Sequence, residues 1–158
     1  VDNISSSRLI GLHPTLVARY TDFDAAMTAK GILLRITQGL RTWPQQDAIY
    51  AIGRTVPGKI VTDAQGGYSA HCFGYALDVA PNDPAFETWT PDWNTKDDRW
   101  KQVLDAALTY GLAEGAQWRT FPDFPHLYLQ ELPATPTDEM RALFVSGGIA
   151  AVWNSWNL

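Results

Sequence analysis

Apolar residues recur at helical spacing from Leu9 to Ala29 through Leu9, Leu12, Leu16, Val17 and Tyr20. The pattern predicts an amphipathic helical segment with Pro14 in the first turn of its main helix, where a missing N–H is tolerated. Ile32 to Gln38 is short, rich in β-branched residues and followed by the turn residue Gly39, and it predicts a strand. Trp43 to Ile52 reads as a helix with Pro44 near its first position, Gly53 to Gly58 as a loop, and Lys59 to Thr62 as a short strand. Asp63 to Tyr68, with Gly66 and Gly67, forms a second loop that leads to His71. Ala76 to Ala80 lies between Gly74 and Pro81 and predicts a core strand, after which Pro81 to Thr95 is a long polar loop. In the helix predicted over Asp97 to Tyr110, Trp100, Val103, Leu104, Ala107 and Leu108 share one stripe, and Gly111 supplies the stop. Trp118 to Phe124 approaches a strand at His126 to Gln130. Pro136 to Val145 is helical, Gly147-Gly148 interrupts it, and Ile149 to Trp156 forms a last helix. Short strands and unevenly spaced helices without a βαβ rhythm indicate an α+β fold, a small antiparallel sheet flanked by helices. No repeat, low-complexity tract or linker divides residues 1–158, so one domain is expected.

Composition narrows the function. Hydrophobic residues make up 46% of the chain and charged ones 18%, with no unbroken apolar run of the ~18 residues a membrane span needs, so a globular core is expected and a span is not. The net charge of −5, with Lys and Arg scattered, provides no basic face for nucleic acid. The same charge gives no long-range attraction to a polyanionic surface, so a substrate of that kind would be held by local contacts in a groove. The single cysteine, Cys72, excludes an internal disulfide. Small size and the lack of a heptad pattern point to a monomer.

Against this background one constellation carries chemistry. Two of the three histidines, His71 and His126, together with Asp78 supply the two imidazoles and one carboxylate of a catalytic zinc site, with the fourth position open. Seven residues from His71 to Asp78 suit a loop feeding a strand, and His126 would enter from a neighbouring strand of the same sheet. Asp123, three residues before His126, is a further carboxylate available as a general base. His13, before Pro14 at a helix start, reads as structural. Cys72, next to His71 on a presumed strand, should face away from the metal as a small buried hydrophobe. Of the seven tryptophans, most are expected in the core, Trp100 on its helical stripe and Trp153 with Trp156 at i, i+3 spacing among them, and Trp89 and Trp93 in the polar loop are the candidates for a groove wall.

These residues also form a recognisable set. Gly39-Leu40-Arg41-Thr42, Ile49 to Thr55, Pro57 to Thr62, Ser69-x-His71-x-x-Gly74-x-Ala76-x-Asp78 and Phe121-x-Asp123-x-Pro125-His126 resemble the L-alanyl-D-glutamate endopeptidases of bacteriophage endolysins. That group shares a zinc-binding fold with D-Ala-D-Ala carboxypeptidases and the hedgehog amino-terminal domain, and the resemblance spans residues 35–130. It implies a zinc peptidase of peptidoglycan stem peptides, cutting the L-Ala–D-Glu bond, with zinc on His71, Asp78 and His126 and Asp123 in the base position. It further implies that Arg41 meets the oxyanion or a substrate carboxylate, with Arg54 as second candidate, and that Ser69 bonds substrate backbone. Gln45 and Gln46, opening a helix near Arg41, join Trp93 as candidate substrate contacts. Two other outcomes stay open: a D-Ala-D-Ala carboxypeptidase and a non-catalytic, hedgehog-like zinc module. The amino-terminal residues show no basic start followed by an apolar stretch. A phage lysin of this kind would accumulate in the host cytoplasm and reach the wall once a holin opens the membrane, whereas a wall-remodelling enzyme with a trimmed leader is the other possibility.

Overall fold

The computed structural model describes residues 1–158. Its elements are α1 (Asn3–Arg8), α2 (Pro14–Ala29), β1 (Leu34–Gln38), α3 (Trp43–Ala51), a 3-10 turn (Ala70–Phe73), β2 (Ala76–Pro81), α4 (Asp98–Thr109), β3 (Leu112–Gly115), β4 (Asp123–Leu129) and α5 (Asp138–Asn154). The four strands form one sheet in the order β1-β2-β4-β3, with every neighbouring pair antiparallel. The α+β expectation therefore holds.

β2 is central, which explains why it is apolar on both faces except at Asp78. Ala76, Leu77, Val79, Ala80 and Pro81 are buried, whereas Asp78 is half-buried. Leu16, Tyr20, Phe23 and Met27 of α2 and Val103 and Ala107 of α4 pack into the same core as Ile36, Leu127 and Leu129 of the sheet. The register sets Asp78 directly opposite His126.

Several boundaries differ from the sequence reading, each for a local reason. The main helix starts at Pro14 because His13 is its N-cap, its Nδ1 accepting from the Thr15 N–H at 3.2 Å. A separate α1, capped by Asp2, precedes it and was not anticipated. Lys59 to Thr62 is no strand: it has no sheet partner, and Lys59, Ile60 and Val61 are exposed. β3, absent from the expectations, has the sequence Leu-Ala-Glu-Gly, which carries no β-branched residue and takes its conformation from pairing with β4. Cys72 is buried as expected, but it lies on a 3-10 turn rather than a strand. His13 is structural, with its ring edge-on to Trp153 at 5.1 Å. The Gly147-Gly148 interruption appears as a kink inside α5, where both glycines leave helical geometry.

Candidate metal and peptidase site

Three short segments converge on one spot. The 3-10 turn ends at Gly74, whose φ of +71° reverses the chain into β2. A Cβ there would lie 3.0 Å from the Gly11 carbonyl oxygen and 3.0 Å from the Trp153 ring, so only glycine fits without displacement. This turn aims His71 at Asp78 on β2. On the other side, the pairing of β3 with β4 jumps from Glu114↔Leu127 to Gly115↔Asp123. Phe124, Pro125 and His126 thus lie in an irregularity of the ladder, where a proline without an N–H is accommodated. A Cβ on Gly115 would come within 2.8 Å of the Asp123 carbonyl oxygen and 3.2 Å of His126 Cβ. The close approach at Gly115 therefore sets where both Asp123 and His126 sit.

His71 Nε2 lies 3.1 Å from Asp78 Oδ1 and 3.2 Å from His126 Nδ1, and His126 Nδ1 lies 3.2 Å from Asp78 Oδ1. His71 Nδ1 is 2.9 Å from the Gly39 carbonyl oxygen, a group that can only accept. That contact keeps the His71 proton on Nδ1 and turns the Nε2 lone pair into the triangle. A lone pair and a carboxylate oxygen facing each other at hydrogen-bond distance call for a cation between them. A tetrahedral metal with bonds of about 2.0–2.1 Å has ligand edges of about 3.3 Å, close to the distances seen here. Both histidines are buried, and the Trp118 ring covers His126 at 5.0 Å. His126 Nε2 is buried without a partner, so the protein groups that face this ring meet it only at Nδ1. Burial raises the Asp78 pKa, but where the rings carry a second proton the attraction of His71 and the hydrogen bonds of His126 and His71 outweigh it and hold the carboxyl well below its usual range; in the neutral His71 ring that proton is absent and the lone pair faces the carboxylate. The donor set, two imidazoles and one carboxylate, is one that zinc accepts with a position left open.

Asp123 and Arg41 line the same cleft, whose volume is about 1160 Å³. Burial pushes the Asp123 carboxyl up and the charge of Asp78 adds to this, while His126, His71 and Arg41 pull the other way. Arg41 Nη2 lies 3.8 Å from Asp78 Oδ2, and Nη1 donates to Gln46 Oε1 at 2.6 Å. Gln46, fully buried, donates in turn to the Ala64 carbonyl at 2.7 Å and to Thr62 Oγ1 at 3.3 Å. Burial draws the Arg41 pKa down, yet a guanidinium keeps its proton. Ser69 also lines the cleft, and its hydroxyl makes no capping bond to the 3-10 turn it precedes.

The remaining candidates lie elsewhere. Gln45 completes the capping box of α3, its Oε1 accepting from the Thr42 N–H at 2.8 Å, and it does not line the cleft. Arg54 is spent on the Tyr50 and Thr62 carbonyls and on Asp63, which braces the cleft wall from behind. Trp93 stacks on Trp100 at 6.4 Å and faces solvent away from the cleft, and Trp89 lies under the Arg35 guanidinium. The aromatic wall consists instead of Tyr50, Tyr68, Trp118 and Phe121. Trp118 was discoverable from its place in the turn-rich approach to His126. The two tyrosines had no comparable signal.

Comparison with known proteins agrees with this geometry. Residues 9–117 match the family described as VanY: D-alanyl-D-alanine carboxypeptidase, a span that includes Arg41, His71 and Asp78 and ends before Asp123 and His126. The chain is 39% identical over 121 residues to the peptidoglycan L-alanyl-D-glutamate endopeptidase CwlK of Bacillus subtilis, covering 73% of this chain and 72% of that one. Among solved structures, the L-Ala D-Glu endopeptidase ChiX of Serratia marcescens superposes with a TM-score of 0.59 at 23% identity, over 82% of this chain and 88% of that one. The LD-carboxypeptidase LdcB gives 0.57 at 27% identity, over 77% and 67%. The vancomycin-resistance D,D-pentapeptidase VanY, solved with Zn(II), gives 0.56 at 14% identity, over 89% and 83%.

Proposed function

The chain belongs to the VanY D-alanyl-D-alanine carboxypeptidase family, and on that premise we propose that it is a zinc-dependent peptidoglycan endopeptidase that cuts the stem peptide between L-Ala and D-Glu. The observation that carries the reading is the convergence of His71, Asp78 and His126 on one point, with the further carboxylate Asp123 and the cation Arg41 in the same open cleft. A purely structural zinc site has no use for either of those two groups. Support for an endopeptidase over a carboxypeptidase comes from the CwlK relative, named for the L-Ala–D-Glu bond, and from the cleft volume of about 1160 Å³, ample for substrate on both sides of a scissile bond.

His71, Asp78 and His126 would hold the zinc, and a zinc there supplies Lewis acidity toward water and toward a carbonyl. Asp123 takes a proton from the attacking water as its oxygen bonds to the L-Ala carbonyl carbon. Arg41, held by Gln46, faces the negative charge that builds on the carbonyl oxygen. When the C–N bond breaks, Asp123 returns the proton to the D-Glu amine, so the products are a carboxylate and a free amine. Ser69 would hydrogen-bond the peptide backbone. The phage-lysin setting, delivery to the wall and the monomeric state belong to the same proposal and rest on the motif resemblance and the small size of the chain.

Mass spectrometry of purified peptidoglycan digested by the zinc-loaded protein, beside a chelated sample, tests this reading. New amino-terminal D-Glu, lost on chelation, is the expected result. Released D-Ala alone would reassign the protein as a carboxypeptidase, and no product with one zinc bound per chain would leave a binding module. A second expectation follows from Gly115. Gly115→Ala should weaken zinc affinity about tenfold, as other disturbances of ligand-supporting groups do, because the added Cβ displaces the backbone that positions His126. Competition titration against a zinc chelator reads this directly, and an unchanged affinity would show that β4 adjusts without cost.

A further inference from the structure

Arg119 differs from every other arginine in the chain. Of the eight arginines, seven are tied down by the protein itself. Arg8 donates to the Ile36 carbonyl, Arg19 pairs with Glu131, and Arg35 with Asp2. Arg41 is held by Gln46 and Asp78, Arg54 by Asp63, Arg99 by Asp92 and Asp97, and Arg141 by Asp138. Arg119 alone makes no hydrogen bond or ion pair, and it lines the peptidase cleft. Its backbone neighbourhood is nonetheless fixed. Trp118, one residue before it, packs on His126 and donates its N–H to the Gly115 carbonyl at 3.1 Å, and Asp123 opens β4 four residues later.

The charges of the cleft sharpen the contrast. Its carboxylates are Asp63, Asp78 and Asp123. Asp63 is taken by Arg54, and Asp78 lies among His71, His126 and Arg41. Arg41 is therefore already matched by a carboxylate, whereas Arg119 brings an unmatched charge with a planar fork of donors suited to bidentate binding of a carboxylate.

Resting on the peptidase reading above, we propose that Arg119 determines substrate specificity by binding a free carboxylate on the leaving side of the stem peptide. The nearest one is the α-carboxylate of D-Glu, since that residue continues the chain through its γ-carboxyl group and leaves the α-carboxylate free beside the scissile bond. The enzyme then prefers stem peptides with free D-Glu over those amidated there to D-isoglutamine, because amidation removes the charge and replaces an acceptor oxygen with a donor. A carboxylate on the third residue of the stem is the other source of the same chemistry.

The test uses three synthetic stem peptides with the zinc-loaded full chain: one with both carboxylates free, one amidated at D-Glu, and one amidated at the third residue. Unchanged enzyme should cleave the free peptide with kcat/KM about tenfold above the D-Glu amide, the size of effect expected for one charge-assisted hydrogen bond. Arg119→Gln should reduce that ratio to near one, and Arg119→Lys should retain part of it. Equal cleavage of the free and D-Glu-amidated peptides, or a ratio that survives Arg119→Gln, overturns the inference while leaving the peptidase reading intact. A preference confined to the third-residue carboxylate overturns the D-Glu assignment in favour of that group. Cleavage of none of the three removes the peptidase reading and the inference together.

Discussion

Replacing Asp123 with alanine should lower kcat on stem peptides by about 10²–10⁴-fold, the usual contribution of a positioned general base, while the protein still binds one zinc per chain. The separation is expected because Asp123 is not one of the three converging donors: those are His71, Asp78 and His126, whose ligating atoms lie within 4.8 Å of one another. Asp123 is fixed by backbone, at the start of β4 opposite Gly115, and its carboxylate accepts no hydrogen bond from the protein. Truncation thus leaves no buried donor stranded and should cost little stability, so a fall in rate cannot be ascribed to unfolding. Zinc content by mass spectrometry and the denaturation midpoint, both measured beside kcat, make the comparison. Full activity in Asp123→Ala would remove this residue from the mechanism, and loss of zinc would move it into the ligand set. Asp123→Glu supplies a second comparison. The extra methylene moves the carboxylate relative to a β4 backbone that Gly115 already crowds, and partial activity would show how much freedom the base position allows.

The parts of the site visible in the sequence were those encoded by unusual residue types at fixed offsets. His71 and Asp78 stand seven apart because one 3-10 turn and one glycine reversal bring the chain into β2, and that local device can be read from Gly74 and the strand after it. His126 could be placed on a neighbouring strand, because it stands beside Pro125 at the start of a predicted strand, His126 to Gln130, far along the chain from His71 and Asp78. Substrate-facing residues were less legible. Gln45 and Gln46 are adjacent and chemically identical, yet one caps α3 outside the cleft and the other is buried behind Arg41, a difference set by helix phase and by where Thr62 and Ala64 pass. Trp93 and Trp118 both sit in polar, turn-rich stretches. Only packing against His126 and Tyr128 brings Trp118 to the cleft, and that contact depends on the register of β4. The missing β3 and the spurious strand at Lys59 to Thr62 make the same point: Leu-Ala-Glu-Gly is a strand because it pairs with β4, while Lys-Ile-Val-Thr has strand-like residues and pairs with no strand.

Arg41→Met should lower kcat/KM by about 10²–10³-fold, the range found when a donor to a developing oxyanion is removed. Methionine keeps much of the volume and removes the charge. The reason to expect a transition-state effect is preorganisation. Nη1 is held by Gln46 Oε1 at 2.6 Å, and Gln46 is held by the Ala64 carbonyl at 2.7 Å, so the guanidinium has little freedom to reorganise when charge appears on the substrate. The division of the loss between kcat and KM decides what Arg41 meets. A fall mainly in kcat assigns it to the oxyanion, where the charge exists only in the transition state, whereas a rise in KM with kcat unchanged assigns it to a substrate carboxylate present throughout. Gln46→Leu separates position from charge, because Arg41 remains while its brace is lost. If placement matters, this variant should lose kcat in the same direction as Arg41→Met, and the double substitution should lose less than the product of the two single effects, since the two side chains act as one unit. Independent, multiplying losses would show instead that Gln46 acts by stabilising the Thr62 to Ala64 wall of the cleft and leaves the guanidinium unaffected.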